Sequence, residues 1–157
     1  MELFELIQTL NTAHGPSGDE GAVREAVAGL ARPYADEVAA DTLGNLIVRK
    51  RGSGPRVMLC AHMDEVGVIV TRITEEGFLK FDFVGGVDRR VAIGKPVVLG
   101  ENEIPGLIGL KAIHLVSREE EEKVPKTDAL YIDIGAKDRE EAEKLVPPGT
   151  YGSFVGP

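Results

Sequence analysis

The sequence contains no tryptophan and a single cysteine, Cys60, and aromatic residues make up only 5% of it. One cysteine excludes an intramolecular disulfide framework and suits a reducing compartment. With so few rings, the core has to be built from aliphatic side chains. Positive charge is also scarce: 18 lysines and arginines against 26 aspartates and glutamates leave a formal net charge of -8. A surface of that sign repels phosphates, which argues against nucleic acid as a partner. No apolar run approaches the ~18 residues that a membrane-spanning helix needs. The first residues, Met1-Glu2-Leu3-Phe4-Glu5, carry acids where a signal peptide carries bases. The expected location is therefore cytoplasmic, with no membrane partner. Of the 157 residues 43% are apolar and 28% charged, ordinary values for a chain able to bury a core.

Two segments have helical periodicity. Leu3, Leu6, Ile7 and Leu10 form one apolar stripe, and Val23, Ala26, Val27 and Leu30 a second. His14-Gly15-Pro16-Ser17-Gly18 separates them, and Ser17 with Glu20 has the spacing of a capping box for the second helix, which Arg32-Pro33 stops. Both stripes are expected to pack on the sheet that follows. Val38 to Asp41 and Leu46 to Lys50 flank Gly44-Asn45 as a hairpin. Arg56 to Ala61 is a nearly continuous apolar run and reads as a central strand covered on both faces, with Cys60 inert inside it.

From Val66 the texture changes to short strands punctuated by glycine: Val66–Ile73, Phe78–Phe83, Val97–Leu99, Gly106–Leu110, Leu130–Ile134 and Ser153–Val155. Such spacing predicts a small barrel or sandwich. Asp138 is placed to cap a helix over Arg139 to Leu145. The fold class is accordingly α/β followed by a β-rich module. The division falls near residue 67, giving segments 1–67 and 68–157.

The chemistry concentrates at the end of the apolar run. His62 and Asp64 stand at i and i+2, so on an extended backbone both side chains share a face and can converge beyond the strand. Imidazole is the commonest metal ligand type, and a carboxylate beside it fixes its orientation and tautomer. Glu65 is expected to face the other way. His14 and His114 read as turn or packing residues, and Glu119 to Glu122 as a solvated acidic run. Gly85-Gly86 lacks the longer glycine fingerprint of a phosphate loop.

The stretch Ala61-His62-Met63-Asp64-Glu65-Val66-Gly67 resembles the A-H-x-D-E-[VI]-G signature of the tetrahedral dinuclear-metal aminopeptidases. That family includes glutamyl and deblocking aminopeptidases, some labelled cellulase M or endoglucanase. Further motifs follow in order: Gly15-Pro16-Ser17-Gly18 with Glu20, Asp41 to Leu46, Val84 to Asp88, Gly106 to Gly109 with His114-Leu115, and Asp128 to Gly135. The resemblance implies a partial α/β metallopeptidase domain, phosphorylase/hydrolase-like, over 1–67. Over 68–157 it implies a β-rich, PDZ-like dimerisation domain. It implies two divalent metals, zinc or cobalt, per complete site, peptide substrates trimmed from their N-termini, and a homo-oligomer. Residue by residue, His62 takes a metal-ligand position. Asp64, counted with the catalytic set, takes the position of the carboxylate that orients it. In that family a metal lowers the pKa of the attacking water and holds the substrate carbonyl.

The family's remaining ligands and its general base lie beyond motifs matched here. The expectation is an N-terminal portion of such an enzyme, inactive and weak in metal binding as an isolated 157-residue chain, with a separate C-terminal catalytic part as partner. The alternative is a non-catalytic oligomerisation module derived from the same family. A carbohydrate hydrolase is the weakest reading, since no carboxylate pair flanks an aromatic-floored cleft.

Overall fold

The computed structural model describes residues 2–110 and 124–155. His114 and Glu119 to Glu122 lie outside them. The chain divides into two compact units, Met1–Glu65 and Val66–Pro157.

The first unit opens with α1 (Leu3–Thr12), whose start is closed by a reciprocal capping box between Glu2 and Glu5. Helix α2 (Gly21–Ala31) buries Val23 and Ala28 and runs into a 3₁₀ turn over Arg32–Tyr34, where Pro33 cannot continue an α-helical ladder. The Ser17–Glu20 capping box does not form. Glu20 itself is the N-cap residue, its carboxylate accepts the Gly18 N–H at 2.7 Å, and the Ser17 hydroxyl is engaged by Asp64. The helical stripes are only partly covered, with Leu3 70% and Ile7 49% exposed.

The expected hairpin forms, as β1 (Glu37–Ala40) antiparallel to β2 (Leu46–Arg49) with Val38 opposite Val48. Its turn is organised by Asp41, whose carboxylate accepts from Asn45 Nδ2 and from the backbone N–H groups of Leu43 and Asn45, each at 2.9 Å. Gly44 supplies the positive φ of 89° that this turn requires.

The apolar run Arg56 to Ala61 departs from expectation. It forms no strand, and Val57, Met58 and Leu59 are 80%, 84% and 93% exposed. Cys60 is exposed as well, not inert in a core. A strand exists only through its ladder, and the two-stranded sheet of this unit pairs β1 with β2 alone. The apolar composition records a demand for cover that the described residues do not meet.

The second unit is a closed antiparallel barrel in the order β3-β4-β7-β6-β5-β8, closing through the β8–β3 pair. Its strands are β3 (Gly67–Ile73), β4 (Leu79–Val84), β5 (Pro96–Leu99), β6 (Ile104–Leu110), β7 (Leu130–Asp133) and β8 (Tyr151–Phe154). Among the described residues the β4–β7 seam is paired only at Leu79 and Ile132, the shortest ladder of the barrel. The core is aliphatic, with Val68, Val70, Leu79, Val97, Leu99, Ile108, Leu130 and Ile132 at most 1% exposed. Leu79 and Phe81 point inward while Asp82 faces solvent, the period of two of a strand with one buried face. Gly152 is required by packing: a Cβ there would stand 2.5 Å from Leu99 Cδ2 and 2.8 Å from the Val98 carbonyl oxygen.

Among the described residues the unit also carries two short α-helices. One, α3 (Arg89–Ala92), has Asp88 at its N-cap. The other, α4 (Arg139–Leu145), has Asp138 there, accepting from the Glu141 N–H at 2.9 Å. Asp88 is held down to about 2, chiefly by the Arg90 guanidinium, whose Nη2 lies 2.6 Å from Oδ2. A carboxylate with a lower pKa folded than unfolded stabilises the fold above its unfolded value of 3.8. That contribution disappears as pH falls from about 4 towards 2. We expect the melting temperature to drop across this window, and Asp88→Asn to lower it at neutral pH and flatten the drop. Identical acid profiles for both proteins would refute a role for this cap.

No helix among the described residues is long and apolar enough to cross a membrane.

Candidate functional site

The site lies in the first unit, where the loop between α1 and α2 meets the segment His62–Glu65. Backbone pairing joins them: the Glu65 N–H donates to the Gly15 carbonyl at 2.9 Å, within an isolated parallel bridge between Pro16 and Glu65. The Glu65 carboxylate in turn accepts the Gly15 N–H at 3.2 Å. Gly15 is buried, and a Cβ on it would fall 2.4 Å from Val23 Cγ1, so only glycine lets the loop lie this close to α2.

On that mount His62 and Asp64 converge as their i, i+2 spacing predicts. His62 Nδ1 lies 3.1 Å from Asp64 Oδ1 and 3.1 Å from the Asp64 carbonyl oxygen. Both partners are acceptors only, so in the neutral ring this geometry assigns the proton to Nδ1 and the lone pair to Nε2. The imidazole is 86% exposed as a side chain, and Nε2 has no hydrogen-bond partner among the described residues. Asp64 spends its other oxygen on Ser17, whose hydroxyl donates to Oδ2. The Ser17 bond first, and the His62 bond after it, hold the Asp64 carboxyl below its ordinary range. Glu65 turns to Gly15 instead, so neighbouring carboxylates have separate partners. A groove lined by Leu10, Asn11, Ala13, Val23 and Val27 opens beside His62–Glu65.

His14 is half-buried. Its Nδ1 is enclosed, has no hydrogen-bond partner among the described residues, and lies 3.9 Å from Glu65 Oε1. Sequence reasoning missed Ser17 as a member of the site. It stands 47 residues from Asp64, so no local spacing links the two, and its spacing to Glu20 suggested a cap.

An imidazole with one nitrogen donating to a carboxylate and the other bare has the arrangement of a metal-ligating histidine. His62 thus fits one ligand position. Among the described residues no group of three histidine, cysteine, aspartate or glutamate side chains is placed to hold a metal ion. The described residues alone therefore do not fit a two-metal centre, which needs several ligands at fixed separation.

The sequence profile of the M42 glutamyl aminopeptidase family matches residues 44–157. A protein of Acetivibrio thermocellus named as a candidate aminopeptidase is 42% identical over 155 residues, 99% of this chain and 45% of that protein. Among solved structures, the TET aminopeptidase of the marine sediment archaeon Thaumarchaeota archaeon SCGC AB-539-E09 superposes with a TM-score of 0.90 at 37% identity. That match covers 98% of this chain and 45% of the other. The TET1 peptidase of Pyrococcus horikoshii, which can assemble into a tetrahedron or a large octahedral shell, gives 0.86 at 37% identity, over 98% and 46%. The chain spans a little under half the length of these relatives. With a profile match over most of its residues and two superpositions along nearly its whole length, the chain belongs to the M42 glutamyl aminopeptidase family.

Proposed function

We propose that these residues act as the N-terminal portion of a metal-dependent aminopeptidase that removes residues from peptide N-termini. In this reading His62 is one ligand of a zinc or cobalt site and Asp64 the residue that orients it. The observation that carries it is the state of His62: Nδ1 bound to two acceptors and Nε2 bare, exposed and beside a groove. The remaining ligands and the general base come from polypeptide outside the described residues. The uncovered Val57-Met58-Leu59 segment gives that polypeptide an apolar surface to seat on. Residues 1–67 then belong to the α/β peptidase domain. The barrel of 68–157 is the PDZ-like dimerisation domain, and the protein works as a cytoplasmic homo-oligomer. The likeness to a shell-forming peptidase supports the oligomer.

A non-catalytic assembly module is the second reading, favoured by one feature: the barrel closes and buries a core of its own. Co-expression with the remaining portion of a family member separates the two. The first reading predicts cobalt- or zinc-dependent hydrolysis of aminoacyl p-nitroanilides by the pair and none by the 157-residue chain. A stable pair without hydrolysis would favour the assembly module.

A further inference from the structure

We propose that Ser17 is a positioning residue for His62, acting through Asp64: its hydroxyl holds one carboxylate oxygen so that the other faces the imidazole. The proposal deepens the reading of His62 as a ligand and rests on that reading for its functional meaning. Asp64 is the only member of the trio that touches both others. Oδ2 accepts from Ser17 Oγ, and Oδ1 accepts from His62 Nδ1. Without the serine bond the carboxylate is free to turn about its side-chain torsions, since it is 38% exposed.

Ser17 is fixed independently of Asp64. Gly15 and Pro16, just before it, are buried and tied to Glu65, and Gly18, just after it, takes a φ of 97° and donates to Glu20. The hydroxyl is thus anchored on backbone at one side and aimed at Asp64 on the other. It does no helix capping, the role that serine at this spacing usually serves, because Glu20 is the N-cap of α2. Holding the ionised carboxylate toward Nδ1–H keeps the lone pair on Nε2, where a metal or a proton would be met.

The test reads the ring itself. In ¹⁵N-histidine-labelled 157-residue chain, long-range ¹H–¹⁵N correlation at about pH 8.5, where imidazole is neutral, gives the ratio of Nδ1–H to Nε2–H tautomers of His62. The wild type should be dominated by Nδ1–H. Ser17→Ala should lower the ratio about five-fold, the worth of one ordinary hydrogen bond, and Ser17→Thr, which keeps the hydroxyl, should hold it. An unchanged ratio in a folded alanine variant overturns the proposal. So does a wild type dominated by Nε2–H, which decides the matter even if Ser17→Ala fails to fold.

The 157-residue chain alone is expected to bind metal weakly, so zinc titrated into the pair co-expressed with the remaining portion of a family member reads the ligand assignment separately. A tautomer that depends on Ser17, with His62 silent to zinc, supports the positioning role and refutes the ligand. A zinc response with the tautomer indifferent to Ser17→Ala does the reverse.

Discussion

If the proposed reading holds, exchanging His62 for alanine is expected to abolish metal-dependent hydrolysis by the pair formed with the remaining portion of a family member. Alanine offers no donor atom in place of Nε2. Asp64→Asn is expected to do less. The amide keeps the shape of the carboxylate but not its charge, and it can present its NH₂ to Ser17 or His62 as readily as its oxygen. Losing such a partner of a ligating histidine typically costs about 10–100-fold in metal affinity or activity. The graded order, His62→Ala below Asp64→Asn below wild type, is read by the rate of aminoacyl p-nitroanilide hydrolysis in the co-expressed pair at fixed cobalt. Equal activity in all three would remove His62 from the site.

The second large effect is on stability. Leu79 is fully enclosed in the barrel, opposite Ile73 on β3 and Ile132 on β7. Its truncation to alanine removes three carbons from a place where two strands bring side chains together, and backbone ladders on both sides limit collapse into the void. Leucine-to-alanine changes of this kind cost about 2–5 kcal/mol, a large share of the roughly 5–15 kcal/mol that holds a domain folded. Urea unfolding followed through the barrel should show the midpoint falling by that amount divided by the denaturant slope m. A loss under about 1 kcal/mol would mean the barrel interior is not packed as described. Exposed Leu107, half-accessible on β6, provides the control, with a change expected within about 0.5 kcal/mol.

The features legible in the sequence were those fixed by neighbours along the chain. Asp138 three residues before Glu141 announced the α4 cap. The segment Phe78–Phe83, set between glycine-marked turns, announced β4. The i, i+2 pairing of His62 and Asp64 placed their side chains together before any fold was known. What failed depended on partners distant in sequence. Arg56 to Ala61 has the composition of a buried strand, but composition states only that burial is favourable. Pairing needs another strand's backbone groups, and among the described residues none is offered, so Leu59 and Cys60 stand in solvent. Ser17 was misread for the same reason. A hydroxyl three residues before a glutamate at a helix start is a cap by local rules, yet the bridge between Pro16 and Glu65 brings Asp64 to it. The barrel itself stood between two outcomes, because turn spacing is the same for a sandwich. The pairing of β8 with both β3 and β5 decided for closure.

Native mass spectrometry of the protein purified from its source organism under metal-retaining conditions tests the central claim most directly. The account predicts these residues within an assembly that carries divalent metal, either as part of a subunit heavier than 16.9 kDa or bound to a partner chain. Free 157-residue chains, alone or self-associated and without metal, would contradict it and leave an assembly module with a histidine that ligates nothing.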